Sequence, residues 1–309
     1  MKRTLVAASM VAGAAGFAYS LSTLGLAQMR EGLLRIGWGF GAILALSGLR
    51  ELARAVAWAR TLDAADRLPV RHALRARLVG EALNTLLPIG FLVGEPAKAQ
   101  HVADRLPFTI AFGTLMIELA FYTASLALLF VGAALVVLPP AVALGIVLLG
   151  AAVVAPLKRA LQTVEPLQRF ARAQPRRAGT IFALEASYHA LGIIETYIVL
   201  LYVSPAGAAW TSALLLETMN RAVTIAFKML PMRLGVDEAA AALVTNRLAL
   251  GSTTGVMVAL VRKLRMLFWA ALGLACMLVR VGEQDERARA TATDPPAQNL
   301  RRTAAIPLV

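Results

Sequence analysis

The chain is poor in cysteine, in histidine and in charge, and each scarcity removes a class of function. One cysteine, Cys276, in 309 residues leaves no disulfide framework and no thiolate metal site. It lies in the last apolar segment and reads as a packing residue. Three histidines, with His72 and His101 in loops, are too few for a metal centre, and neither a metal nor any other cofactor is expected. No Gly-x-x-x-x-Gly-Lys is present to hold nucleotide phosphates, and there is no His-Glu-x-x-His and no Gly-x-Ser-x-Gly. With no room for a soluble catalytic domain either, the chain is not expected to be an enzyme. Charged residues make up only 16% of it and hydrophobic residues 59%, too apolar for a soluble domain of this length. The mean hydropathy of +0.68 agrees, so most of the chain belongs in lipid. Bases outnumber acids, 31 to 18, and a net charge of +13 could suggest nucleic acid. The basic residues, however, cluster in short loops between apolar stretches, as the positive-inside rule requires, and no soluble face is left to bind a nucleic acid.

What is present is a series of apolar segments. Those near 4–24, 36–56, 107–133, 139–157, 179–203 and 255–279 have the ~17–25 residues that cross a bilayer as a helix. Lys2 and Arg3 before the first could mimic a secretory signal, but Ala18-Tyr19-Ser20 is a poor cleavage site, and we read an uncleaved span. Two further segments are interrupted. Residues 78–98 are broken by Pro88, Gly90, Gly94 and Pro96 and read as a re-entrant hairpin. Residues 209–250 read as a long helix ending at Pro231, a break through Gly235, and a shorter helix. The expected fold is an all-α integral membrane protein of about six full spans plus two broken or re-entrant helical hairpins in a pseudo-inverted repeat. A transmembrane domain over 1–280 is followed by a polar tail, 281–309, expected to be disordered.

Charge assigns the sides. The loops 57–77 and 158–177 are strongly basic and read as cytoplasmic, whereas the connectors 204–208 and 251–255 carry no charge and fall outside. The two hairpins then enter from opposite faces. Arg262, Lys263 and Arg265 start the last span near the outer face, against this rule. Either they turn inward to pair with acids such as Glu238, or the second hairpin's long arm crosses and the last span runs the other way.

The two hairpins share a polar signature. Glu81-x-x-Asn84 precedes Pro88, with Glu95 seven residues later, and Glu217-x-x-Asn220 precedes Pro231, with Glu238 seven residues later. Each Glu and Asn pair lies one helical turn apart on one face. Ionisable groups beside broken helices at membrane depth mark substrate paths. Glu217, Asn220, Thr224 and Lys228 extend the second pair into a polar stripe. The plainer alternative is a neutralised pair, Glu217 with Arg221 or Glu81 with Arg77, one turn apart. Glu95 with Lys98, and Arg233 with Asp237 and Glu238, sit at the breaks, where new helix starts attract phosphate or carboxylate headgroups; the acids could equally cap those helices. Glu118, Glu185, His189 and Glu195 are isolated within spans, where an unpaired charge is costly, and proton exchange is the functional expectation for them.

On these residues the chain resembles a known family. Glu81-x-x-Asn84-x-x-x-Pro88, Gly94-Glu95 with Lys98, and Pro231-x-x-x-Gly235-Val236-x-Glu238 are similar to the signatures of the flippase-like transmembrane region of lysylphosphatidylglycerol synthases, over roughly residues 5–280. His189-x-x-Gly192 with Glu195, and Val261-Arg262-Lys263 with Arg265, resemble its hopanoid-associated branch. The resemblance implies a multi-pass protein of the bacterial inner membrane that moves a phospholipid, isoprenoid or hopanoid-type lipid, or a lipid-linked headgroup, between leaflets. It adds Arg262 to the candidate translocation residues Glu81, Asn84, Glu95, Lys98, Glu217, Asn220, Arg233 and Glu238. Lys98 stands where Arg is commoner, and Met232-Arg233-Leu234 replaces small residues. The aminoacyl transferase domain of bifunctional members is absent, so lipid aminoacylation does not follow. The alternative is a non-transporting scaffold or assembly factor for lipid or envelope biosynthesis, in which the polar groups only hold helices together.

Overall fold

The computed structural model describes residues 30, 34–63, 65–87, 90–139, 164–204, 206–233 and 235–293. The expected span near 4–24, all but residue 139 of the expected span near 139–157, Pro88, and residues 294–309 of the tail lie outside them. Among the described residues the regular structure is helical, with no strand. In chain order the helices are α1 (Gly39–Thr61), α2 (Val70–Leu86), α3 (Gly90–His101), α4 (Phe108–Val137), α5 (Val164–Ala173), α6 (Pro175–Val203) and α7 (Trp210–Ala226). A 3-10 turn (Pro231–Arg233), α8 (Val236–Arg247) and α9 (Ser252–Thr293) follow.

Prolines set several starts: α2 follows Pro69, α4 follows Pro107, and α6 begins at Pro175, where a missing N–H costs nothing. α4 and α6 are long and apolar enough to cross a membrane. The other two expected spans in the described region, α1 and α9, each carry three charges within their apolar stretches: Arg50, Glu51 and Arg54, and Arg262, Lys263 and Arg265. Most of these charges are buried, with Arg50 3%, Lys263 0% and Arg262 7% exposed. Large apolar side chains such as Leu135, Leu201, Ile225 and Leu278 face outward instead. Charge inside and hydrocarbon outside is the arrangement that lipid, not water, favours.

The two broken segments fold as helical pairs, with boundaries that differ from expectation. α2 starts inside the basic stretch, leaving a connection of only 62–69, and its 17 residues are about 26 Å long. α3 has 12 residues, about 18 Å, or little over half the hydrocarbon thickness. The two pack at glycines: a Cβ on Gly80 would meet the Gly94 carbonyl at 2.7 Å, and one on Gly94 would meet Asn84 and the Gly80 carbonyl at 2.6 Å. In the second segment the helix does not run to Pro231. It stops at Ala226, and the chain turns through Met232 and Arg233 at φ 53° and 45° before Gly235 at φ 80°. Left-handed backbone at a non-glycine residue is strained, and burial of Met232 (1% exposed) in the core holds it there.

α9 joins the two units, packing along both α2 and α8. A Cβ on Gly273 would strike the Leu78 carbonyl, and one on Gly255 the Ala241 carbonyl. The same helix extends to Thr293.

Candidate functional site

α1 supplies the centre of the site. Ile43, Ser47, Arg50 and Arg54 fall at i, i+4, i+7 and i+11, a single buried stripe that turns two guanidinium groups into an apolar bundle. Each meets acids from other helices. Arg50 Nη1 donates to Glu195 Oε2 at 2.7 Å, and its Nη2 lies 3.4 Å from Glu217 Oε1. Arg54 Nη2 lies 2.8 Å from Glu118 Oε1 and its Nε 3.2 Å from Glu185 Oε2. Arg77 on α2 reaches the same Glu118 oxygen at 3.1 Å and Glu51 at 3.4 Å. Tyr188 stands between these groups: the Arg50 and Arg221 guanidiniums lie 4.4 and 5.0 Å from its ring centroid, and Arg221 Nη1 donates to its hydroxyl at 3.3 Å. Arg54 lies 4.2 Å from the Tyr122 centroid. Aromatic faces stabilise guanidinium groups that have left water.

Glu217 is the most heavily bridged acid. Its Oε1 accepts from Arg221 Nε at 2.9 Å and Nη2 at 2.5 Å, and its Oε2 from Arg262 Nη2 at 3.4 Å, in addition to the Arg50 contact. Arg262 also donates to Thr196 Oγ1 at 3.0 Å. Arg265 pairs with Glu195, and Lys263 Nζ donates to Glu238 Oε1 at 2.5 Å and to the Arg233 carbonyl at 3.3 Å. The three bases that begin the last apolar segment therefore face inward and pair with acids, with Lys263 rather than Arg262 on Glu238.

Above this network lies a cavity of about 220 Å³. Leu78, Glu81, Asn84 and Thr85 of α2 form one wall and Asn220, Arg221 and Thr224 of α7 another, so the two Glu-x-x-Asn motifs face a common space. Lys228, Met232 and Arg233 after α7, Arg262, Arg265 and Trp269 of α9, and Ser47, Arg50 and Glu51 of α1 complete it. Trp269 Nε1 donates to Ser47 Oγ at 2.7 Å across one side. The ionic lining is six bases (Arg50, Arg221, Lys228, Arg233, Arg262, Arg265) against two acids (Glu51, Glu81). Asn84 Oδ1 is buried and accepts no hydrogen bond. The cavity thus has a positive wall, two carboxylates and an unused acceptor.

The candidate residues divide accordingly. Glu81, Asn84, Asn220, Arg233 and Arg262 line one cavity, with Glu217 directly beneath it. Lys98, Glu95 and Glu238 do not line it. Lys98 is fully buried between α2 and α3, with its Nζ 2.8 Å from Glu81 Oε1 and 2.7 Å from Glu95 Oε1. Arg233 pairs with Asp237 at 3.0 Å, and Glu238 with Lys263. The Arg77 and Glu81 pair is open, at 3.9 Å. Of the isolated acids, Glu118 and Glu195 are each bridged by two arginines. Glu185 (0% exposed) and His189 (3%) carry side-chain atoms that accept and donate no hydrogen bond. The His189 ring is tilted against Tyr122 and edge-on to Tyr188, with ring centroids 5.1 and 5.3 Å away. Among the described residues no group of three or more His, Cys, Asp or Glu is placed to hold a metal ion.

A family model described as the lysylphosphatidylglycerol synthase TM region matches residues 5–273, a range that holds every group above. The chain belongs to this family. It is therefore a membrane protein, in agreement with its inward charges and outward hydrocarbon. No curated protein and no solved structure matches it. In this lysylphosphatidylglycerol synthase TM region the residues that motif spacing left unremarked are Arg50, Arg54, Glu51 and Tyr188. Their signal was available: two arginines one turn apart within an apolar span must share a protected face.

Proposed function

We propose that the chain moves a phosphate-bearing lipid, or a lipid-linked headgroup, between the leaflets of the bacterial inner membrane as a multi-pass protein. The supporting observation is the cavity that α2 and α7 both line. Its arginines offer paired N–H groups that match phosphate oxygens, and Glu51 and Glu81 can take an ammonium on the same headgroup. A polar groove of this kind replaces water around the headgroup while the tails stay in lipid. Rocking of the two hairpin units, with their basic loops on the cytoplasmic side, would expose the groove to each leaflet in turn. Of the four acid–base candidates, we assign proton exchange to Glu185 and His189: among the described residues their side-chain atoms make no hydrogen bond, and Glu185 has a single ion pair, with Arg54.

The test is lipid movement in proteoliposomes, read as the loss of protection of a fluorescent phosphatidylglycerol analogue from dithionite. Asn84→Ala with Asn220→Ala is the informative variant. Asn84 Oδ1 makes no internal hydrogen bond, so the double variant should stay folded, with a small change in Tm, and lower the rate about tenfold for each lost ligand contact. A rate equal to wild type would remove the cavity from the path.

A scaffold reading rests on a different observation: Glu217, Glu195 and Glu118 each tie arginines from two helices together. It predicts no lipid movement by purified wild-type protein. Exchanging Glu217 and Arg221 does not separate the two readings, because Arg50 and Arg262 also need the anion at its present place.

A further inference from the structure

A second concave site lies at the foot of the first hairpin and shares no residue with the central cavity. It is a groove of about 260 Å³ between the start of α2, the residues after α3 and the second half of α9. Its polar wall holds His72, Arg75, His101, Asp104, Arg105 and Arg280, three arginines against one carboxylate. Asp104 Oδ1 lies 2.9 Å from Arg280 Nη2, and its other oxygen is 3.9 Å from Arg105 Nε, so a single acid serves two of the bases. His72 Nδ1 is buried there without a hydrogen-bond partner. Both imidazoles are disfavoured as cations, by burial first and by neighbouring arginines second. Burial, and after it the nearby Arg280, push His101 down to about 4. Burial and then Arg105, Arg71 and Arg75 lower His72.

The opposite wall is hydrocarbon. Leu272 and Val279 of α9 are 39% and 59% exposed, and Cys276 lies between them. A positive cleft opening onto an exposed apolar helix face has the form of a bilayer interface: arginine heads at phosphate level with aliphatic surface below.

We propose that this groove binds the phosphate of an anionic phospholipid from the leaflet on the side of the 62–69 connection, with an acyl chain along Leu272 and Val279. The site rests on the membrane assignment of the chain and not on transport through the central cavity. An anionic lipid supplies a second negative group beside Asp104, where three arginines share one carboxylate, and a hydrogen-bonding partner for the buried His72 Nδ1. A neutral zwitterionic lipid supplies the phosphate but brings its own cation and gains less from the field.

Cys276 makes the site readable, because it is the chain's only thiol and it lines the groove. Full-length protein is placed in phosphatidylcholine nanodiscs, with and without about one-third phosphatidylglycerol, and alkylation of Cys276 by N-ethylmaleimide is followed by mass. The expected result is alkylation slowed about fivefold by the anionic lipid, as occupancy of one site protects its lining. The slowing should vanish in Arg75→Gln with Arg105→Gln, two exposed side chains whose loss leaves the core intact. An unchanged rate on adding phosphatidylglycerol overturns the proposal. So does equal slowing in the double variant, which would report bulk surface charge alone. Equal slowing by millimolar inorganic phosphate in phosphatidylcholine discs would assign the groove to a free anion and overturn the lipid. Each outcome is independent of whether dithionite assays detect lipid movement.

Discussion

The two hairpin units carry the same Glu-x-x-Asn motif and connect it differently. In the first, Glu81 is held by Lys98 from the partner arm α3, so its main ionic contact closes within the hairpin. In the second, Glu217 has no ion pair to α8; it is fixed by Arg221 on its own helix and by Arg50 and Arg262 on α1 and α9. Exposure follows the wiring: the Glu81 side chain is 33% exposed and that of Glu217 only 2%. One motif therefore yields an accessible clamp in one unit and a structural keystone in the other. Spacing sets which residues share a face, whereas the neighbouring helices decide what that face does.

The largest expected effect comes from breaking the keystone. Glu217→Ala leaves three buried guanidinium groups short of an anion, and loss of one partner of a buried pair costs about 3–5 kcal/mol. Thermal unfolding in detergent should show a large fall in Tm, with recovery by Glu217→Asp only partial because the shorter acid cannot span all three arginines. Glu81→Gln should cost less, about 1–2 kcal/mol, since Lys98 keeps Glu95 at 2.7 Å. If the two variants lose equal stability, the contrast between the units fails. If Glu81→Gln slows lipid movement more than its modest fall in Tm implies, the contrast sharpens into a division of labour.

A third effect, confined to acid pH, lies at the foot of the first hairpin. His101 is held near 4 when folded, whereas the unfolded imidazole takes its proton near its ordinary 6.5. Between those values the unfolded state binds more protons, so stability falls as pH drops from about 6.5 to 4. The Tm difference between wild type and His101→Gln in lipid-free detergent should change across that window and be flat above it. A difference that stays constant down to pH 4 would mean the folded imidazole titrates normally.

Much of the fold was legible because apolar length and proline placement are local properties. α4 and α6 lie where runs of hydrocarbon predicted them, and both broken segments are helical pairs. The boundaries were less legible. The end of α7 at Ala226 depends on Met232 being driven into the core in a left-handed conformation, a tertiary effect with no marker in residues 227–230. In the site, motif spacing brought Glu81, Asn84, Asn220 and Arg233 to one cavity. It did not reveal that Lys98, Glu95 and Glu238 would be taken up by pairs outside it. It also passed over Arg50 and Arg54, which carry no motif and acquire their importance only from acids on α4, α6 and α7. Pairing between distant segments, with 167 residues between Arg50 and Glu217, is the information a single sequence holds least openly.

The glycine crossings have a consequence at the level of the gene. Gly80 and Gly94 meet within the first hairpin, while Gly255 and Gly273 set α9 against the carbonyls of Ala241 and Leu78. A glycine codon is GGN, and every amino-acid change one base away from it, to alanine, valine, serine, cysteine, aspartate, glutamate, arginine or tryptophan, introduces a Cβ. At Gly255 and Gly273 that atom would overlap backbone, which cannot rotate aside as a side chain can. These codons can drift only at their third base, so inheritance should hold them more firmly than many of the charged residues whose helices they bring together.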